Sequence, residues 1–118
     1  MTAEPRPRVL VVDDEQQILR ALRVILRDAG FQALPAANME EALDVAAVER
    51  PDAAIIDLVL PDGDGLWVAD AIRDSGIPII AMSAYLDRWS DEDYRRAGFR
   101  SKLRKPFKSA DLLSALRP

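Results

Sequence analysis

The sequence contains no cysteine and no histidine. Without cysteine there is no disulfide, no thiolate nucleophile and no cysteine-held metal. Without histidine, imidazole acid–base catalysis, imidazole metal ligation and a phosphohistidine on this chain are excluded. Positive charge is outnumbered: 16 Lys and Arg stand against 20 Asp and Glu, a net charge of −4, so the basic footprint of a nucleic-acid binder is missing. No long apolar run is present near the N-terminus, where residues 9–12 are far too few for a signal peptide or a membrane span. The expected compartment is therefore the cytoplasm, with neither a membrane nor nucleic acid as a direct partner.

What is present suits one ordinary α/β domain. The chain has 118 residues, 49% hydrophobic and 31% charged, enough for a single core. Residues 1–7 carry Pro5 and Pro7 and read as a disordered lead, leaving residues 8–117 as the domain. Residues 8–12 form a β-branched run that ends at Asp13-Asp14. Ile18, Leu22, Ile25 and Ala29 then recur at helical spacing with Leu19 and Leu26 beside them, while Arg20, Arg23 and Arg27 take the other face. Asp14 with Gln17 is a candidate capping box for this helix, and Gly30 its stop.

The alternation continues. Residues 31–37 form a weak second strand, and Asn38 with Glu41 opens a helix whose Leu43, Ala46 and Ala47 can face inward until Pro51 ends it. The apolar residues 54–56 run into Asp57, and Pro61, Gly63 and Gly65 then mark a loop. Leu66, Ala69 and Ile72 mark a third helix, closed by Gly76; residues 78–82 form a fourth strand ending at Ser83-Ala84. The stretch 85–97 lacks apolar period at first, so its helix is expected to start near Asp91, capped by Ser90 with Asp93 and stopped by Gly98. Residues 99–104 make a fifth strand ending at Lys105-Pro106, and Ser109 is the expected cap of a last helix bearing Leu112, Leu113 and Leu116. Strand and helix alternating five times predict a five-stranded parallel sheet with helices on both faces, a (βα)5 flavodoxin-like fold.

In such a sheet, ligands bind at the carboxyl ends of the strands. Those ends carry Asp13 and Asp14, Asp57, Ser83 and Lys105. Like charges about 4 Å apart repel by roughly 1 kcal/mol in water and several times that near a protein surface, so three clustered carboxylates call for a cation. Oxygen-only ligands suit Mg²⁺. A hydroxyl, an ammonium and a divalent cation together meet the needs of a phosphoryl group, and Asp57 is then a carboxylate nucleophile toward phosphorus.

The run Val11-Val12-Asp13-Asp14-Glu15, the stretch from Asp57 through Pro61 to Gly65, Ser83-Ala84 and Lys105-Pro106-Phe107 together resemble the CheY-like receiver domains of two-component response regulators. The resemblance implies a phosphoacceptor at Asp57. It implies a Mg²⁺ site of Asp13, Asp14, Asp57 and Val59, with Asp14 and the Val59 carbonyl binding directly and Asp13 through water, and with Ser83 and Lys105 on the phosphoryl group. It implies a signalling switch that catalyses only its own phosphorylation and dephosphorylation. The donor would be a sensor histidine kinase or phosphotransfer protein, the output an effector domain or protein, and phosphorylation-dependent homodimers belong to the same repertoire. One position departs from the family pattern: Lys102 stands where an aromatic usually moves with the Ser/Thr. The readout is accordingly expected from the segment 84–91, which carries Tyr85 and Trp89.

Three other readings are weaker. A dehalogenase-type phosphatase needs a second Asp two residues after the nucleophile, where Val59 stands. A pseudo-receiver serving only for docking would not need the complete acidic set. A calcium loop starting at Asp62 fails, having Leu66 at its fifth position and Arg73 at its twelfth. Trp67, Trp89 and Tyr94 fall on or near polar helix faces; where they stay exposed together they would mark a partner surface.

Overall fold

The computed structural model describes residues 6–117, so most of the expected N-terminal lead, residues 1–5, lies outside the described residues. Pro7 already accepts a ladder hydrogen bond from the Gln32 N–H. The elements are β1 (Arg8–Val12), α1 (Gln16–Asp28), β2 (Gln32–Ala36), α2 (Met39–Glu49), β3 (Ala53–Asp57), α3 (Gly65–Ile72), β4 (Ile79–Ser83), α4 (Asp91–Ala97), β5 (Ser101–Arg104) and α5 (Ser109–Leu116). The five strands form one parallel sheet in the order β2-β1-β3-β4-β5. Among the described residues no helix is long and apolar enough to cross a membrane.

Alternation along each strand sorts side chains to two faces. Val9, Val11, Ile55, Ile80 and Met82 pack against Leu19, Leu22 and Leu26 of α1 and Leu112 and Leu116 of α5. Leu10, Val12, Ala54, Ile56 and Ile79 pack against Ala42 of α2, Val68 and Ala69 of α3 and Ala97 of α4. Both faces are covered, which is why β3 and β4 read as continuous apolar runs. Each fully buried Leu or Ile here contributes about 1.5–3 kcal/mol of transfer free energy. At the β2 edge, Gln32 and Ala36 bond inward to the β1 side, so Pro35 falls on the outward register, where its missing N–H blunts the open edge.

Several local expectations are corrected. The Asp14–Gln17 cap does not form: Glu15 occupies the N-cap position of α1 with no side-chain cap bond, and the Asp13 carboxylate accepts from the Glu15 N–H instead. Strand-end geometry turns Asp13 back over the helix start and leaves Asp14 outward. The α1 core stripe centres on Leu19, Leu22 and Leu26, with Ala29 exposed. In α2 the buried position is Ala42, with Val45 and Ala46 packed beside it, and Ala47 faces out because it lies off the stripe that these three form. Lys108, not Ser109, is the N-cap residue of α5, again without a side-chain bond. The loop after Asp57 is more regular than its glycines suggest: residues 59–60 pair antiparallel with 63–64, and Gly65 is the first residue of α3. Tyr94 is buried, at 3% exposure, because Leu58, Ala81 and Leu86 form a pocket for it off the sheet end.

Other punctuation forms as expected. Asn38 accepts from the Glu41 N–H, and Ser90 and Asp93 make a reciprocal capping box. Gly98, at φ 91°, ends α4 in the left-handed conformation that glycine adopts without penalty.

Candidate functional site

The strand order reverses at β1: the chain first runs outward to β2, then crosses back to β3 on the other side. The crevice outside the carboxyl ends of β1 and β3 is therefore the topological switch point. Asp13 follows β1 and Asp57 ends β3, so both carboxylates flank that crevice. Ser83 ends β4 beside them, and Lys105 follows β5. The Lys105 N–H donates to the Ser83 carbonyl at 3.0 Å, which brings the lysine to the rim.

Its ammonium reaches two carboxylates. Lys105 Nζ lies 3.0 Å from Asp57 Oδ2, as a hydrogen bond, and 2.5 Å from Asp13 Oδ2, as a close ion contact without hydrogen-bond alignment. Asp57 Oδ1 accepts from the Val59 N–H at 3.1 Å, and Asp13 Oδ1 accepts from the Glu15 N–H at 2.9 Å. Asp13, Asp57 and Ser83 are all buried, at 0%, 5% and 1% exposure, while Asp14 stands open to solvent. Burial pushes the Asp57 carboxyl up from the ordinary value; the Val59 N–H and the Lys105 ammonium pull it back without cancelling the rise, and the neighbouring Asp13 charge adds to it. For Lys105, burial favours the neutral amine, but the contacts with the Asp13 and Asp57 carboxylates outweigh it and hold the ammonium above its ordinary value.

The group fits a hard cation. Carboxylate oxygens of Asp13, Asp14 and Asp57 lie within 4.8 Å of one another, all oxygen donors, and one of them, the buried Asp13 Oδ2, has no aligned hydrogen-bond donor. Val59 is exposed beside the group, its N–H already on Asp57.

Ser83 connects the rim to the following segment. Its Oγ accepts from the Tyr85 N–H at 2.9 Å, leaving the hydroxyl proton free to donate. The segment is then held from below: the Tyr94 hydroxyl donates to the Leu86 carbonyl at 2.5 Å. Lys102 is exposed on β5; its ammonium lies 2.7 Å from Asp91 Oδ1 and 4.4 Å from the centre of the Tyr94 ring, and it holds the Asp91 carboxyl below its ordinary value. Tyr85 and Trp67 are exposed, at 53% and 67%, and Trp89 is half-buried.

Two residues that read in the sequence only as turn formers support the site. A Cβ on Gly65 would overlap the Asp57 carbonyl oxygen and come 2.8 Å from an Ile56 methyl, so only glycine lets α3 start this close to the acceptor strand. Asp62 accepts from the Met39 and Glu40 N–H groups at 2.8 and 3.1 Å, which caps α2 from the loop after Asp57 and lowers its own pKa, chiefly through the Met39 bond. The Asp-Gly-Asp-Gly spelling signals turns; the cap partner lies more than twenty residues away and is invisible locally.

The response regulator receiver domain family matches residues 9–117. The KDP operon transcriptional regulatory protein KdpE of Escherichia coli K12 is 38% identical over 110 residues, 92% of this chain and 49% of that protein. KdpE of Mycobacterium tuberculosis is 41% identical over the same shares. The chain spans about half the length of the curated relatives it matches. Among solved structures, the chemotaxis protein CheY4 of Vibrio cholerae superposes with a TM-score of 0.84 at 30% identity, covering 95% of this chain and 97% of that one. The signal receiver domain of an HD domain-containing protein from Pseudomonas fluorescens Pf-5 gives 0.87 at 27% identity, covering 99% and 88%.

Proposed function

The chain belongs to the response regulator receiver domain family of two-component signalling, a switch rather than a turnover enzyme, and from that premise we propose that Asp57 is its phosphoacceptor. The observation that carries the reading is the Lys105 ammonium set between the buried Asp13 and Asp57 carboxylates at the switch point. A carboxylate oxygen of Asp57 attacks the phosphorus of a phosphohistidine on a sensor kinase or phosphotransfer protein; the P–N bond breaks, a P–O bond forms, and the imidazole leaves with a proton in place of the phosphoryl group. Lys105 then exchanges its bond to Asp57 for one to the new phosphoryl oxygens, where its fixed positive charge needs no reorganisation. Asp13, Asp14, Asp57 and the Val59 carbonyl would hold Mg²⁺, which when bound supplies charge neutralisation for the phosphoryl oxygens.

The signal leaves through Ser83. Its free hydroxyl proton is drawn to the phosphoryl oxygens, and turning toward them breaks the acceptor bond to the Tyr85 N–H. The segment 84–91 is released at one end while Tyr94 keeps hold of Leu86. Lys102 stays outward on Asp91, because an ammonium loses its hydration in an apolar slot. Tyr85 and Trp89 change exposure and with it the affinity for an effector domain or protein, in the cytoplasm where such kinases deliver phosphate. A second copy of the chain is one such partner.

Acetyl phosphate with Mg²⁺ tests the reading. Intact-mass spectrometry of the unmutated protein is expected to show one phosphoryl addition, lost in Asp57→Asn; undiminished labelling of that variant overturns the assignment.

A further inference from the structure

We propose that the groove between α1 and β2 is a docking site for an acidic, leucine-bearing peptide segment of a partner protein. Five arginines line it: Arg6, Arg8, Arg20, Arg23 and Arg27. The groove encloses about 940 Å³, and among the described residues no acidic side chain lines it, although acids outnumber bases in the chain as a whole. Arg8 is tied to Glu49 at 2.8 Å and Arg27 leans on Asp28 at 3.4 Å, but among the described residues no carboxylate pairs with Arg20 or Arg23. On α1, Arg20 and Arg23 are three apart and Arg23 and Arg27 four apart, so like charges face each other on one helix surface, a destabilising arrangement that an anion relieves.

The floor decides the kind of anion. Val24, 48% exposed, and the half-buried Phe31 leave apolar surface open between the guanidinium groups. A peptide carrying carboxylates and aliphatic side chains satisfies both, with bidentate Arg–carboxylate bonds around buried leucines. A nucleic-acid strand would meet the guanidinium groups but leave the floor uncovered, and beyond the groove it would run over a surface of net negative charge. The groove uses none of Asp13, Asp57, Ser83 or Lys105, so the proposal stands apart from the phosphoacceptor reading.

The probe is a fluorescein-labelled synthetic peptide of repeated Glu-Glu-Leu, followed by fluorescence anisotropy against the whole chain. Saturable binding is expected, weakened by added salt, about tenfold weaker in Arg20→Glu/Arg23→Glu, and several-fold weaker when the peptide's leucines become serines. The substituted arginines are exposed, and an unchanged circular dichroism spectrum and melting temperature verify the fold; Arg23→Gln, which only removes charge, is expected to lose several-fold as the milder variant. No binding, or equal affinity for the unmutated protein and both variants, overturns the proposal. Tighter binding of oligothymidylate or inorganic tripolyphosphate than of the peptide also overturns it and assigns the groove to phosphates.

Discussion

Replacing Lys105 by methionine removes the positive charge that contacts both Asp13 and Asp57 and keeps roughly the same volume. At an effective dielectric constant of about 20, contacts of 3.0 and 2.5 Å are each worth about 5–7 kcal/mol before desolvation. The variant cannot lose all of this, because a buried carboxylate without a partner takes up a proton instead. Starting from an ordinary carboxyl pKa of 3.8, holding that proton at pH 7 costs about 4.4 kcal/mol, at 1.36 kcal/mol per unit. Asp57, already raised by burial, is the group that takes it. Water at the rim screens part of the cost, since Lys105 is 13% exposed, so the loss at pH 7 is about 2–4 kcal/mol, or about 8–16 °C in melting temperature for a domain of this size.

The sign of the pH dependence is distinctive. A carboxyl held protonated in the folded state has a pKa above its unfolded value; the stability it carries is complete at acid pH and is lost as the pH climbs through the folded pKa. At pH 5 the same proton costs only about 1.6 kcal/mol, so the gap between Lys105→Met and the unmutated protein should narrow by at least half. Urea unfolding in metal-free buffer at pH 5 and pH 7 measures this directly. An equal gap at both pH values, or a more stable variant at pH 7, refutes the reasoning.

Millimolar Mg²⁺ should raise the melting temperature of the unmutated protein by mass action, and Asp14→Ala should remove most of that rise while itself stabilising the metal-free fold by relieving carboxylate crowding. Gly65→Ala forces a Cβ onto the Asp57 carbonyl; thermal melts should show a loss of about 3 kcal/mol, and labelling by acetyl phosphate should slow because the acceptor strand end must shift. In Trp67→Phe, with Trp89 the remaining tryptophan, fluorescence should change when beryllium fluoride is added with Mg²⁺, and the change should survive Lys102→Ala. A silent Trp89, or a change abolished in Lys102→Ala, means the signal leaves by another route.

Local chemistry in the sequence determined the strand–helix alternation, the Asn38 and Ser90 caps and the residues at each strand end, because period, capping and turn chemistry act over a few residues. Once five strands are parallel, their terminal residues must share one rim, so Asp13, Asp57, Ser83 and Lys105 are legible as a group in the sequence alone. Only the tertiary structure decided what depends on approach between distant segments. Lys105 reaches Asp57 across 48 residues and touches Asp13 as well. Asp62 caps a helix that began before it, and Gly65 is glycine because a carbonyl from another strand presses on it. Tyr94, polar by its helix neighbours, is buried because Leu58 and Leu86 arrive from other elements to cover it. The arginines of α1 look like a solvated face in sequence; they line a groove only because β2 comes alongside them. Burial and concavity are properties of pairs of surfaces, and a single segment carries only one side of each pair.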